Sequence, residues 1–175
     1  MRDGGAKKGL KSEYLHGLAL REEVTPEDAR AVGRLVESTG FFTSAEVGIA
    51  VELVEERLAR GPASGYFFVF AEASGELVGY SCYGPIPCTL NSFDLYWVAV
   101  RPSEWNRGVG SLLVSASEEK IHKVGGRRIY IETSSRAQYE STRRFYERRG
   151  YSRESCSRDF YAPGDDKITY VKERK

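Results

Sequence analysis

The stretch Val98-Ala99-Val100-Arg101-Pro102-Ser103-Glu104-Trp105-Asn106-Arg107-Gly108-Val109-Gly110-Ser111-Leu112-Leu113 decides how this chain is read. A strand of about Ser92 to Val100 runs into Arg101-Pro102, and proline cannot continue a central ladder. From Arg107 to Val124 the period becomes 3.6, with Val109, Leu112, Leu113, Ala116, Lys120 or Ile121 and Val124 on the apolar side. A strand therefore feeds a glycine-bearing turn that opens an amphipathic helix. The first turn of a helix presents unpaired N–H groups and the positive dipole end, and Gly108 and Gly110 lack side chains that would block a close ligand. A phosphate or pyrophosphate suits such a place, although glycines there also serve a tight turn or close helix packing.

Two phosphate-binding motifs are tested by the flanking residues. A P-loop needs Gly-Lys-Ser/Thr, whereas Gly110 is followed by Ser111-Leu112. A dinucleotide fingerprint needs a small residue where Leu113 stands, although Glu132 lies at a suitable distance for a ribose contact. The strands that precede the glycines also argue against that fold, so a Rossmann-type nucleotide-binding module stays only as a lesser alternative.

Working toward the N-terminus, Tyr66-Phe67-Phe68-Val69-Phe70 and Leu77-Val78-Gly79-Tyr80 flank Ser74-Gly75 as the two arms of a hairpin, closed by Pro85 and Pro87. Before them, Thr25-Pro26-Glu27-Asp28 signals a helix running to about Ser38. Thr43-Ser44-Ala45-Glu46 is a capping box whose helix carries Val47, Ala50, Val51, Val54 and Leu58 on one face and stops at Gly61-Pro62. Leu15, Leu18 and Leu20 suggest an opening strand, and residues 1–12 a flexible start to one domain over 13–175. Toward the C-terminus, Gly125-Gly126 ends the central helix and Arg127 to Thr133 forms a strand parallel to the one before it. A helix from Arg136 to Arg149 ends at Gly150, and Arg153 to Tyr161 and Lys167 to Lys172 are strands. The order is βααβββαβαββ, a mixed α/β (α+β) fold with a central, mostly antiparallel sheet flanked by helices.

Composition sets the bounds. The chain has 175 residues, enough for one substantial core, and 26 Lys and Arg against 25 Asp and Glu leave a formal charge of +1. That balance provides no general field for nucleic acid or an anionic membrane. No stretch nears the roughly 20 apolar residues of a membrane span, and a cytoplasmic protein is expected. Cys82, Cys88 and Cys156 have no metal-ligand spacing, so no metal is called for and buried free thiols are expected.

With these residues in view, the chain resembles the Gcn5-related N-acetyltransferase (GNAT) superfamily. Its Arg/Gln-x-x-Gly-x-Gly/Ala signature is matched in spacing by Trp105-Asn106-Arg107-Gly108-Val109-Gly110, with Trp105 in place of the usual Arg or Gln. Phe145-Tyr146-Glu147-Arg148-Arg149-Gly150-Tyr151 is similar to the family's Phe-Tyr-Glu-x-x-Gly-Phe/Tyr segment, and the element order agrees. The resemblance implies acetyl-CoA as donor, with coenzyme A as product. It implies pantetheine contacts from the strand backbone at Val98, Ala99 and Val100, and pyrophosphate contacts from the amides of Asn106, Arg107, Gly108, Val109, Gly110 and Ser111.

Acetyl transfer from a thioester needs a neutral amine. A lysine-like amine is neutral about once in 2,500 molecules at pH 7, a disadvantage of roughly 4.6 kcal/mol, so a base is useful. By similarity of placement Asp94 is the candidate base, with Glu132 competing, while Tyr146 stands at the motif position that protonates the departing sulfur in many family members. Arg136, Arg143 and Arg144 could assist phosphates but equally form a solvated helix face. The acceptor is expected to be an amine-bearing small molecule or a peptide. It would meet the loop Thr39 to Ser44, the segment Pro85 to Phe93 and the hairpin Tyr161 to Lys167; Phe41, Phe42, Tyr83 and Tyr161 offer apolar area, and Asp165 and Asp166 charge. Neither nucleic acid nor membrane is a partner in this reading, and homodimer formation is left open. A catalytically silent acyl-CoA sensor is the alternative from the binding-protein class.

Overall fold

The computed structural model describes residues 13–174. The expected flexible segment 1–12 lies outside the described residues. Seven strands follow the order β1-β2-β3-β4-β5-β7-β6 in the sheet: β1 Ala19–Arg21, β2 Phe67–Ala73, β3 Glu76–Pro85, β4 Ser92–Val100, β5 Arg128–Ser134, β6 Ser152–Ala162 and β7 Asp165–Glu173. The helices are α1 Pro26–Ser38, α2 Ser44–Arg60, α3 Val109–Lys123 and α4 Glu140–Arg148. The β1–β2, β2–β3, β5–β7 and β6–β7 pairs are antiparallel and β4–β5 is parallel. No helix of the described residues is long and apolar enough to cross a membrane.

The chain divides into two compact units, one of the described residues up to Tyr83 with Trp97–Glu119, the other of Gly84–Tyr96 with the described residues from Lys120. In the first unit, Val32, Leu35 and Val36 of α1, Ala50 and Val54 of α2, Phe68 and Phe70 of β2, Leu77, Tyr80 and Cys82 of β3, and Ala99 of β4 form one buried cluster. Both expected helix starts are present: Thr43 accepts from the Glu46 amide while Glu46 answers the Thr43 amide at 2.7 Å. Asp28 does the same for Thr25, and Arg21 of β1 grips it with two 2.8 Å hydrogen bonds. In the second unit Phe93, Leu95, Ile129, Ile131, Ile168 and Tyr170 are buried. A Cβ on Gly126 would meet Ile121 Cγ2 at 2.2 Å and Phe93 at 3.0 Å, so the second glycine after α3 leaves room for packing that no other residue allows.

Four expectations are corrected. Residues 13–16 are helical and β1 is only the three residues after Leu18, because the sparse apolar pattern there buries little. Along α3 the buried face is Val109, Leu113, Val114, Ser117 and Ile121; Val124 is 70% exposed, since the helix ends at Lys123, before it. Ser117 belongs to that face because its hydroxyl pairs with buried Ser81 at 2.8 Å. The last helix begins at Glu140, preceded by a 3-10 turn at Ala137–Tyr139. Of the three cysteines, all free, only Cys82 is buried; Cys88 lies in a loop and Cys156 on outer strand β6, both exposed.

Candidate active site

The β4–β5 ladder pairs Ser92, Phe93 and Asp94 with Arg128, Ile129 and Tyr130 and stops there. Beyond it, the Arg101 amide donates to Val78 of β3 at 2.9 Å. By strand alternation the peptide groups of Val98 and Val100 then point away from β3. The carbonyl of Val100 already has a donor, the Trp105 indole Nε1 at 2.7 Å. The Trp105 ring meets Phe41 edge-on, with centroids 5.9 Å apart, and Phe42 meets Trp97 of β4 at 4.8 Å. The α1–α2 loop is therefore seated by two aromatic pairs, one on β4 and one on the glycine turn.

That turn depends on backbone shapes that most residues avoid. Asn106 has φ +63° and Gly108 φ +100°. The first α-helical bond of α3 runs from the Leu112 amide to the Gly108 carbonyl at 3.0 Å. The amides of Val109, Gly110 and Ser111 precede it and have no intrahelical acceptor, as at any helix start. With the dipole of a 15-residue helix behind them, these donors suit a diphosphate.

In the second unit, Asp94 of β4 and Tyr130 and Glu132 of β5 share one face of the sheet. Lys167 of β7 bonds Glu132 at 3.0 Å and stands 4.0 Å above the ring of exposed Phe160. Partial burial, then the Glu132 charge, push the Asp94 carboxyl up to about 6, although Lys167 pulls it down. Glu132 is exposed and committed to Lys167.

Helix α4 joins the opposite face, where the Tyr170 hydroxyl donates to Glu147 at 2.8 Å. Its end explains the Phe-Tyr-Glu-x-x-Gly-Tyr pattern physically. Gly150, at φ +84°, donates to the Glu147 carbonyl at 3.0 Å, and Tyr151 reaches back to the Tyr146 carbonyl at 3.1 Å. This is the paired closure of a Schellman motif, with the Tyr151 ring packed on Tyr146, centroids 5.7 Å apart. Tyr146 is buried, and burial raises its hydroxyl above the ordinary tyrosine value.

Other sequence candidates have structural partners. Arg143 donates to the carbonyls of Ser134 and Arg136 at 2.7 and 2.9 Å, Arg144 pairs with Glu140, and Arg136 pairs with buried Asp165 at 3.0 Å. Asp166 accepts from the Asp159 amide at 2.9 Å, and buried Tyr83 stacks on Phe67 at 5.7 Å. Sequence reasoning missed Phe160 and the pairing of Lys167 with Glu132, because neither spacing nor motif announces them: the β5–β7 register sets Lys167 beside Glu132, and Phe160 of β6 lies under the Lys167 ammonium.

Residues 35–151 match the model of the acetyltransferase (GNAT) family. The chain belongs to the GNAT family. A structure from Desulfovibrio desulfuricans, assigned to the GNAT family as an acetyltransferase, is 48% identical, with a TM-score of 0.88 over 89% of this chain and 98% of that one. An aminoglycoside 6'-N-acetyltransferase complexed with coenzyme A is 20% identical, with a TM-score of 0.70 over 89% and 96%. The ribosomal-protein-S18-alanine N-acetyltransferase from Escherichia coli is 17% identical, with a TM-score of 0.71 over 89% and 93%. These last two share the fold. No curated protein gives a match. As a GNAT enzyme the protein is an acyltransferase, and the donor of the family is acetyl-CoA.

Proposed function

We propose that this GNAT protein transfers the acetyl group of acetyl-CoA directly to the primary amine of a small molecule or peptide. Asp94 carries the reading. Its carboxyl, pushed up to about 6, is about nine-tenths ionised at pH 7 yet holds a proton far better than an ordinary aspartate. It removes the proton from the incoming ammonium. Glu132 keeps its neighbour's carboxyl basic and is itself held by Lys167, so we assign proton removal to Asp94 ahead of Glu132.

The free amine attacks the thioester carbonyl carbon, a C–N bond forms and the C–S bond breaks; the nitrogen then sheds its second proton to water, and water returns a proton to the Tyr146 oxygen, so the turnover releases one proton in all. Tyr146 supplies the proton that the departing sulfur takes. Burial makes the hydroxyl a weaker acid, and the same desolvation raises the basicity of a thiolate beside it. The donor is held by the amides of the turn before α3 and of the first residues of α3, from Asn106 through Ser111. The backbone of Val98 and Val100, turned away from β3, meets the pantetheine arm, with the Val100 carbonyl shared with Trp105, whereas the Ala99 peptide groups face β3.

The likeness to an aminoglycoside and a ribosomal-protein acetyltransferase supports an amine acceptor without choosing between the two kinds. Exposed Phe160 and Tyr161 and the carboxylate of Asp94 favour one with both apolar area and positive charge. A cytoplasmic location agrees with the free thiols and with use of acetyl-CoA. Thermal shifts with acetyl-CoA, coenzyme A and NAD test the donor: the first two raise the melting temperature and NAD does not. Stabilisation by NAD alone overturns the assignment.

A further inference from the structure

The residues before β1 are tied to the turn before α3. Residues 13–16 form a helical turn, closed by hydrogen bonds from the Gly17 amide to the Glu13 and Tyr14 carbonyls at 3.2 and 3.1 Å. The Tyr14 hydroxyl donates to Glu104 Oε2 at 2.5 Å. The same oxygen accepts from Arg107 Nη1 at 2.8 Å, and the Arg107 guanidinium lies 3.5 Å above the centroid of the Tyr14 ring. Three side chains, one of them 90 residues distant from Glu104 in sequence, thus close a triangle across the turn.

The turn needs such a hold. Asn106 and Gly108 both have positive φ, and the Arg107 amide reaches the Glu104 carbonyl only at 3.4 Å, a long bond. Trp105 anchors one side through Val100. On the other side an open groove of about 610 Å³, lined by Tyr14, Gly17, Leu18, Ala73, Ser74 and Arg107 among others, replaces close packing, and the polar triangle holds the turn. Burial and the facing Glu104 carboxylate keep the Tyr14 hydroxyl protonated beyond its ordinary range, so it donates throughout neutral pH.

We infer that Tyr14 is a positioning residue for acetyl-CoA, acting through Glu104 and Arg107 to fix residues 105–108 so that the amides of Val109, Gly110 and Ser111 meet the diphosphate already aligned. The inference rests on the reading of the start of α3 as the donor site. A turn held in its bound shape before the ligand arrives avoids the ordering cost, and that saving appears in affinity. Arg107 then serves the shape of the turn with its side chain and the ligand with its backbone.

Calorimetry of acetyl-CoA with the full chain, together with steady-state kinetics, tests this. Tyr14→Ala raises the Kd and KM for acetyl-CoA about five- to twentyfold, and Tyr14→Phe, which keeps a ring under Arg107, about two- to fivefold. At saturating donor kcat stays within about twofold of wild type for both. The double variant Tyr14→Ala/Glu104→Ala binds no worse than the weaker single one, because the two residues act as one device. A role only in stability would lower the melting temperature with Kd unmoved. Kd within twofold of wild type for Tyr14→Phe and Tyr14→Ala, or a fall in kcat with KM unchanged, overturns the inference; should Tyr14→Ala not fold, Tyr14→Phe decides alone. Failure of the wild-type protein to bind acetyl-CoA instead overturns the donor-site reading itself, and the inference with it.

Discussion

The indole of Trp105 donates to the carbonyl of Val100 at 2.7 Å, so the residue that stands in place of the family's Arg or Gln hydrogen-bonds the last residue of β4. Its ring also supports Phe41 of the α1–α2 loop. Trp105 therefore acts on the donor turn through packing and one backbone acceptor. Trp105→Gln keeps an N–H donor at the position and is expected to retain acetyl-CoA binding measurable by calorimetry. Complete loss of binding with the fold intact would mean that Trp105 itself contacts the donor.

Gly108 requires a different outcome. At φ +100° a β-branched side chain is strained by about 1 to 3 kcal/mol, and it also obstructs approach to the α3 amides. Gly108→Val should weaken acetyl-CoA binding about tenfold or more while circular dichroism shows the helices retained. Unchanged affinity in the folded variant places the donor elsewhere.

Asp94 gives two readouts of opposite sign. Activity requires the carboxylate, so kcat/KM rises with pH through about 6, and Asp94→Asn loses that limb and recovers partly in alkali, where more acceptor is already neutral. Stability runs the other way. A carboxyl whose folded pKa is raised favours the folded state below its unfolded value near 4, and this contribution is lost as pH rises through about 6. Because Asp94 is only half-buried, Asp94→Asn should gain no more than about 1 kcal/mol at pH 7 and nothing near pH 3. Urea unfolding at the two pH values measures the difference; an equal effect at both contradicts the raised carboxyl.

The periodic and punctuated parts of the chain were legible beforehand. Thr25-Pro26, the Thr43 capping box, Ser74-Gly75 and Gly150 each mark a local backbone shape, and each lies where an element begins, turns or ends. The β4 turn into α3 was legible for the same reason. What escaped is non-local. Tyr14 meets Glu104, and Lys167 meets Glu132, across strand register and long sequence separation, where no local periodicity leaves a trace. Val124 continues the helical spacing of apolar residues yet lies outside the buried face, because the chain leaves the helix at Lys123.

Tyr146 has a structural reason to be aromatic, its contact with Tyr151, and a variant that keeps the ring separates that reason from chemistry. Tyr146→Phe should leave the melting temperature within about 2 °C and acetyl-CoA affinity unchanged while lowering single-turnover rates about 10²-fold or more. A donor whose leaving thiol has a lower pKa should lose less. Unchanged turnover at saturating acceptor would assign Tyr146 to packing.

The hydroxyl of Tyr80 is buried in the first unit and has no hydrogen-bond partner among the described residues. Removing an unsatisfied buried hydroxyl relieves a desolvation cost of about 1 to 3 kcal/mol. Tyr80→Phe should therefore raise the urea midpoint, by about 1 kcal/mol in unfolding free energy, with the m-value unchanged. A loss of stability would show that the hydroxyl is satisfied in solution.

Acetyl transfer to an amine with Asp94 as base is tested by thiol release from acetyl-CoA against a panel of aminoglycosides, polyamines and peptides with free N-termini, followed from pH 5.5 to 9. Amine-dependent release with an N-acetylated product by mass spectrometry is expected, with an acidic limb near pH 6 in wild type that is absent in Asp94→Asn. Tight acetyl-CoA binding with no amine-dependent release from any member of the panel, or a pH profile of Asp94→Asn parallel to wild type, would contradict it.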